Sequence, residues 1–160
     1  MRKVTVFGGS AGGIQSLCRV LEGLAGELPA ALLAVIHIGE GSNHLAEVLQ
    51  RCTKIDVVSP KKPELLLPSR LYIAPGNHHL VVKNGCVLVT KGPRENRHRP
   101  AIDTLFRSAA RTYRSAVVGV VLSGALDDGS AGALAVKARG GMLISCRTRT
   151  MRRCRKCRKM

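Results

Sequence analysis

A serine, a histidine and an aspartate pair each stand at the end of an apolar, strand-like segment of this 160-residue chain. Ser10 lies in the stretch GGSAG, His37 lies near the end of ALLAVIHI, and Asp127-Asp128 follow VVGVVLSG. A serine hydroxyl becomes an effective nucleophile when a histidine takes its proton, and a carboxylate can fix the tautomer of that histidine. The three residue types therefore predict nucleophilic hydrolysis if the fold brings them together.

The glycines around Ser10 add a second catalytic feature. They lie at the start of a predicted helix, where the backbone N–H groups of Ala11 and Gly12 could stabilise a developing oxyanion. GGSAG also fits the G-x-S-x-G pattern of the α/β-hydrolases. The order Ser, His, Asp along this chain differs from the order Ser, Asp, His of that fold, so the pattern does not predict the α/β-hydrolase fold.

A nucleotide-binding turn is the main alternative for this glycine-rich segment, because such strand-to-helix turns often bind phosphate. Ser10 occupies the second glycine position of G-x-G-x-x-G, and GxxxxGK[ST] is absent. Taken singly, His37 would be a hydrogen-bonded structural residue and Asp128 a turn or helix cap. The coincidence of all three at strand ends favours the hydrolase and leaves a nucleotide-binding module as an alternative.

The elements that must position these residues alternate between strand and helix patterns. We predict an α/β fold with three layers, α/β/α, and a mainly parallel, doubly wound sheet with a β-hairpin. In such a sheet, ligands bind outside the carboxyl ends of the strands. The parallel strands are predicted over 3–7, 31–38, 70–76, 116–124 and from residue 142 onward.

Helices and turns complete this prediction. Asn84-Gly85 predicts the type I′ turn of a hairpin over 79–90. One helix is expected over 12–24 and another over 43–51 with Ser42 as its N-cap. A third helix is predicted to have Pro100 at its first position, and a fourth follows the two aspartates.

The composition narrows the function classes. Aromatic residues make up 2% of the chain and tryptophan is absent, which disfavours a base-stacking groove for nucleic acid. No apolar run is long enough to span a bilayer, and the N-terminus lacks a signal-peptide pattern, so we expect a cytoplasmic protein without membrane insertion. Reduced cysteines suit that compartment, and Cys18, Cys52 and Cys86 are expected to be small buried apolar residues.

Five stretches together resemble the catalytic domain of the bacterial chemotaxis receptor methylesterases, the protein-glutamate methylesterase family. The resemblance extends from Val4 to about Leu143 and rests on GGSAGG, VIHI, LYIAPGNHHL, GPRENRHRPAIDTLF and GVVLSGALDDGSAGALAVKARGG. It implies hydrolysis of glutamyl methyl esters on the signalling helices of methyl-accepting chemotaxis receptors, with release of methanol. It also implies deamidation of receptor glutamines in many members.

The resemblance assigns roles residue by residue. It implies Ser10 as nucleophile, His37 as base and Asp128, rather than Asp127, as the third residue. The backbone N–H of Ala125 corresponds to an oxyanion donor. The run NRHRP implies that Arg97 and His98 shape the substrate groove. We expect no cofactor, no metal and a monomer.

The family usually has an N-terminal receiver domain, which this chain does not contain, so we expect either no regulation in cis or an incomplete fragment. The C-terminal tail is a second departure. Residues 144–160 hold eight of the 26 basic residues, so the net charge of +16 falls to +8 over residues 1–143. A basic segment could bind nucleic acid or an anionic surface, which is the alternative function for this tail. Cys154 and Cys157 have metal-ligand spacing, but a second pair is missing, so a zinc site is not favoured.

A frameshift offers another interpretation of the tail. Permitted codons from Ser145 onward, read from the third base of the Ser145 codon, give VQDPDDAAMPEMP, which resembles the segment that continues the family. We therefore predict a catalytic domain over 1–143, incomplete at its C-terminus, and an out-of-frame, disordered tail over 144–160. An apolar sheet edge left exposed in this way predicts a marginally stable or insoluble product, or an inactive truncated fragment.

Overall fold

The computed structural model describes residues 3–10, 12–37, 44–123 and 128–146, and the fold is described for these. The strands in this part of the chain are β1 (Lys3–Gly9), β2 (Ala30–Ile36), β3 (Asp56–Val58), β4 (Glu64–Leu65), β5 (Arg70–Ile73), β6 (His79–Lys83), β7 (Cys86–Thr90), β8 (Val117–Ser123) and β9 (Met142–Ser145). The helices are α1 (Gly13–Glu22), α2 (Leu45–Gln50), α3 (Ile102–Tyr113) and α4 (Ser130–Ala138).

A six-stranded parallel sheet in the order β3-β5-β2-β1-β8-β9 forms the centre of the molecule. β1 lies between β2 and β8, so the chain leaves β1 towards one side of the sheet and later returns on its other side. This reversal of strand order creates a crevice at the carboxyl ends of the three central strands. The predicted α/β fold with a mainly parallel sheet is confirmed.

Aliphatic side chains cover both faces of the sheet, as the continuous apolar strands require. Leu17 and Leu21 of α1 and Leu49 of α2 are buried on one face. Leu105 and Phe106 of α3 are buried on the other face, together with apolar residues of α4 and of the hairpin. The hairpin strands β6 and β7 belong to a separate antiparallel sheet with β4, which packs on the α3 side.

Gly8 allows the closest approach between α3 and the sheet. A Cβ atom at Gly8 would lie 2.4 Å from Cγ2 of Ile102, the first residue of α3. A Cβ atom at Gly9 would lie 3.1 Å from Ile36 and 3.2 Å from the backbone of Gly13. These two glycines therefore serve the packing of helices and strands around the crevice.

The hairpin prediction is confirmed, because Asn84 and Gly85 adopt φ values of 50° and 77° between β6 and β7. The predicted starts of two helices are wrong. Helix α3 begins at Ile102 rather than Pro100, and its N-cap is Ala101. Helix α2 begins at Leu45 with His44 as N-cap, whereas Ser42 lies outside the described residues. Strands β3 and β4 were not predicted from the sequence.

The expectation of reduced cysteines is wrong for one pair. The sulfur atoms of Cys18 and Cys52 are bonded, with their Cα atoms 5.3 Å apart. Cys86 is a free thiol and only partly buried. Cys18 in α1 and Cys52 after α2 are 34 residues apart in sequence and meet only when both helices pack on the same face of the sheet. The positions of the cysteines in the sequence therefore do not indicate this pairing.

Residues 144 and 145 belong to β9, and Cys146 continues its pairing with β8, whereas the remainder of the basic tail lies outside the described residues. Within the described ranges, no helix combines the length and the apolar character that crossing a membrane requires.

Candidate active site

The three central strands bring Ser10, His37 and Asp128 to one edge of the sheet. Ser10 follows β1 by one residue and His37 follows β2 by one residue. The backbone N–H of His37 donates a 2.9 Å hydrogen bond to the carbonyl of Gly9, so the two strand ends lie at the same level. Asp128, in the loop between β8 and α4, is 2.9 Å from Nε2 of His37 through its Oδ2 atom.

The His37–Asp128 contact fixes the imidazole tautomer. A carboxylate only accepts hydrogen bonds, so Nε2 of His37 is the nitrogen that holds the proton in the neutral ring. The other nitrogen, Nδ1, is buried and has no hydrogen-bond partner among the described residues, Ser10 included. An unpaired buried acceptor is unfavourable. Nδ1 is therefore the atom on which the ring can receive a proton.

The Asp128 carboxylate is surrounded by hydrogen-bond donors. Its side chain is fully buried. The backbone N–H groups of Ile102 and Asp103 donate to it over 2.7 and 3.0 Å, and Nδ2 of Asn96 donates over 3.2 Å. Burial raises the pKa of Asp128, but the hydrogen bonds from His37, the two backbone groups and Asn96 outweigh burial and bring that pKa to about 2. The carboxylate is anionic in the folded protein.

Asp103 makes the reciprocal hydrogen bonds: Asp128 accepts from N–H groups at the start of α3, and Asp103 accepts from N–H groups at the start of α4. Its Oδ1 atom accepts hydrogen bonds from the backbone N–H groups of Gly129 and Gly132 at the start of α4, over 3.0 and 2.6 Å. Its Oδ2 atom accepts one from Asn96 over 2.9 Å. Asp128, which precedes α4, thus caps α3, while Asp103, in the first turn of α3, caps α4.

Sequence reasoning missed Asn96 and Asp103. Asp103 has one detectable signal, since acidic residues are favoured in the first turn of a helix. Asn96 begins the run NRHRP, which the resemblance associates with the site, but its residue type does not indicate that one amide bridges two carboxylates from distant segments. Both residues orient Asp128 and do not contact Ser10 in any described interaction.

Arg97 and His98, which were predicted to shape the substrate groove, belong to a tight turn beside the His37–Asp128 pair. Glu95 and His98 exchange two backbone hydrogen bonds of 3.0 and 2.8 Å. Asn96 and Arg97 between them have φ values of 49° and 68°. The His98 ring stacks on the ring of His37, and the Arg97 side chain is exposed.

Of the three predicted oxyanion donors, only Gly12 belongs to the described residues, and Ala11 and Ala125 lie outside them. Gly12 has a φ of 78° at the N-cap of α1, and a Cβ atom there would meet nothing within 4 Å. Glycine is favoured at position 12 because the backbone there is left-handed, and not because a side chain would be crowded. The N–H of Gly13, the first residue of α1, donates to the Ser10 carbonyl over 2.7 Å, so a tight turn leads from Ser10 into α1.

Metal ligands do not cluster in the part of the chain that the structure describes. No group of three or more histidine, cysteine, aspartate or glutamate side chains there has the geometry to hold a metal ion.

Comparisons with known proteins identify the family that this chain resembles along most of its length. The family model described as CheB methylesterase matches residues 5–153. Proteins named protein-glutamate methylesterase/protein-glutamine glutaminase are similar: one from Photorhabdus laumondii is 38% identical over 148 residues, covering 89% of this chain and 42% of its own length. One from Thiobacillus denitrificans is 40% identical over 144 residues, covering 87% of this chain and 40% of its own length.

A solved structure of the same family has a similar fold. The catalytic domain of the Thermotoga maritima CheB methylesterase is 34% identical, with a TM-score of 0.83, over 89% of this chain and 78% of that chain. The chain spans about two fifths of the length of the curated relatives it matches.

Proposed function

The chain belongs to the CheB methylesterase family, and from this membership we propose that it is a serine hydrolase that removes methyl groups from glutamyl esters of chemotaxis receptors. The observation on which this proposal depends is the His37–Asp128 pair, whose Nε2 to Oδ2 distance is 2.9 Å at the strand edge that presents Ser10. The buried Nδ1 atom leaves one basic position open beside that edge.

The reaction would begin with proton transfer. Nδ1 of His37 takes the proton of the Ser10 hydroxyl while Oγ attacks the ester carbonyl, and a tetrahedral oxyanion forms. N–H groups at the start of α1 would donate to that oxyanion, with Gly12 among them. The Asp128 carboxylate stabilises the imidazolium that exists at this point, because its low pKa keeps it anionic.

Collapse of the tetrahedral intermediate transfers the proton from His37 to the leaving oxygen and releases methanol. Water then attacks the acyl-enzyme, again with His37 as base, and frees the glutamate carboxylate and Ser10. The same steps convert a glutamine side chain into glutamate with ammonia as the leaving group. We therefore extend the proposal to the glutaminase activity that the relatives' name includes.

The substrate is proposed to be a receptor signalling helix, and Arg97 and His98 are proposed to border the groove that receives it. Arg97 is exposed at the tip of its turn, and its guanidinium makes no described ion pair. A cation at this position suits a substrate whose hydrolysis product is a carboxylate.

Replacing Ser10 by alanine tests the proposal. We expect Ser10→Ala to lower methanol release from a methylated receptor by roughly 10³-fold or more, because the hydroxyl that forms the acyl-enzyme is removed. Ser115→Ala is the matched control, since Ser115 is exposed and precedes β8 at the opposite end of the sheet. Methanol release would be measured beside the melting temperature of each variant. Turnover by Ser10→Ala at the wild-type rate, with an unchanged melt, would contradict the proposal.

A further inference from the structure

The ring of His98 lies flat against the ring of the proposed base. The ring centroids of His37 and His98 are 3.8 Å apart, and the two ring planes differ by 8°. One face of the His37 ring is therefore covered by another ring, while its Nε2 edge is held by Asp128. The side chain of His37 is 9% exposed, so little of it remains accessible to water.

The turn that presents His98 is attached to the site at several points. Asn96, two residues earlier, donates to the Asp128 carboxylate over 3.2 Å. Arg99, the next residue, donates through Nε to Oδ1 of Asn77 over 2.9 Å and through a terminal nitrogen to the carbonyl of Gly92 over 2.8 Å. An ion pair with Arg107 of α3 holds Glu95. The position of the His98 ring is thus set by contacts on both sides of it.

The charge state of His98 determines what this ring does to His37. Burial lowers the pKa of His98 from its ordinary value, and the neighbouring His37 and Arg94 lower it further, while Asp128 raises it. Among the described residues, these titratable groups act on the ring through their charges, from the end of β2, the loop before α4 and the turn itself. His98 is accordingly neutral near pH 7.

We propose that His98 is a positioning residue for this hydrolase, which holds the plane of the His37 ring and, as a neutral ring, stabilises the His37 imidazolium in the transition state. This inference rests on the proposed function, in which His37 takes the Ser10 proton. A neutral aromatic face attracts a cation that forms 3.8 Å away, and it does so without the reorganisation that water would need.

Protonation of His98 reverses the effect. Two imidazolium rings at this separation repel each other, and the low exposure of the site reduces screening by solvent. A protein molecule with a charged His98 is therefore catalytically impaired. The proposal thus predicts that a second proton, bound at His98, contributes to the loss of activity in acid.

Three variants of the full chain test this proposal. His98→Ala removes the stacked ring, His98→Phe keeps a flat ring that cannot be charged, and His44→Ala is a control at an exposed histidine that contacts Glu47. The assay is methanol release from methylated receptor, with kcat and KM measured separately across the acid range. Labelling of Ser10 by a fluorophosphonate provides a second rate that does not depend on receptor binding, and thermal melts report folding.

We expect His98→Ala to lower kcat and the labelling rate roughly tenfold with KM within about twofold, whereas His98→Phe stays within about threefold of the wild type. In the wild type, the logarithm of kcat/KM should fall with a slope that increases from about one to about two as the pH decreases, and in His98→Phe the slope should stay near one. A purely structural function for His98 would not change this slope.

The alternatives give different results. Wild-type kcat in His98→Ala would overturn the proposal. A rise in KM with kcat unchanged would also overturn it, because His98 would then act only at the substrate groove and not on His37. A slope near one in the wild type would overturn the predicted effect of His98 protonation. Failure of the proposed function itself is distinguishable, because Ser10→Ala would then remain active or the wild type would not react with the fluorophosphonate.

Discussion

At the scale of single residues, the decisive feature is the Asp128 carboxylate. It is buried, yet its pKa is about 2, because four hydrogen-bond donors converge on it. Burial alone would have favoured the neutral acid, which could not stabilise an imidazolium. The two backbone donors at the start of α3 thus contribute directly to the charge that the proposed reaction requires.

The low pKa of Asp128 has a consequence for stability. A carboxyl group whose pKa falls from 3.8 to about 2 on folding contributes stability that is present above its unfolded value. This contribution, about 2 kcal/mol, is lost as the pH falls from about 4 towards 2. Stability decreases in acid because the unfolded chain binds the proton more tightly than the folded protein does.

Replacing Asp128 by asparagine tests both effects. We expect Asp128→Asn to lower the free energy of unfolding by about 2 kcal/mol at pH 7 and kcat by roughly 10²–10⁴-fold, because the anionic acceptor is gone. Urea denaturation at pH 7 and at pH 3 would show the stability difference shrinking in acid. Asp56→Asn is the control, since Asp56 is a half-exposed carboxylate that pairs with Arg70. An equal loss of stability at both pH values would contradict the assignment.

At the scale of elements, α3 and α4 are joined by their reciprocal caps. Asp128 accepts from the first N–H groups of α3, and Asp103 accepts from those of α4. Gly132 makes this arrangement possible, since a Cβ atom there would lie 2.5 Å from Cβ of Phe106 and 3.0 Å from Oδ1 of Asp103. The two helices can approach this closely only with glycine at position 132.

Gly132→Ala should therefore force α3 and α4 apart. We expect it to lower the free energy of unfolding by about 2 kcal/mol and to reduce kcat, because displacement of α3 would disturb the donors to Asp128. Gly23→Ala is the matched control, since a Cβ atom at Gly23 would meet only backbone oxygens, the nearer at 3.6 Å. Denaturation and methanol release would be compared in both variants. Equal stability of Gly132→Ala and the wild type would show that the helices can separate without cost.

Two elements show why some predictions from the sequence are confirmed and others are wrong. The turn at Asn84-Gly85 depends on local backbone preferences, so the sequence suffices to predict it. The start of α3 depends on Asp128, which is 26 residues away from Ile102 in the sequence and supplies its cap. The local preference of Pro100 for the first helical position therefore did not decide where the helix begins.

At the scale of the whole molecule, the disulfide joins α1 to the segment directly after α2. Cys18 belongs to α1, which begins after Ser10, and Cys52 follows α2, the first described helix after His37. The bond closes a separation of 34 residues that includes all of β2. It therefore restricts the unfolded chain across the segment that contains the proposed base.

Reduction of this disulfide should destabilise the protein. In the chain-entropy estimate, a loop of this length corresponds to about 3–4 kcal/mol of unfolding free energy. Urea denaturation with and without a reducing agent measures the loss, and alkylation with mass spectrometry counts the free thiols. Serine at both Cys18 and Cys52 should abolish the effect of the reducing agent, whereas Cys86→Ser, a change at a free thiol, should retain it. Alkylation of Cys18 in the untreated protein would contradict the pairing.

The sheet has an apolar edge at β9. Among the described strands β9 pairs with β8 alone, and its Met142 and Ile144 side chains are 60% and 43% exposed. Strand edges that lack a pairing partner promote association. The marginal stability predicted from the sequence stays a prediction, as does the frameshift, which DNA sequencing of the codons after Ile144 would decide.

The sequence by itself determined five of the six strands of the parallel sheet, the hairpin and the location of Ser10, His37 and Asp128 after strand ends, because local patterns and a parallel sheet suffice for that. The short strands β3 and β4 were not determined in this way. Only the tertiary structure decided which nitrogen of His37 faces Asp128, that Asn96 and Asp103 hold the carboxylate, that His98 stacks on His37 and that Cys18 meets Cys52. These are contacts between segments far apart in the chain. Their geometry is set by the packing of helices on the sheet, which no local pattern of residues specifies.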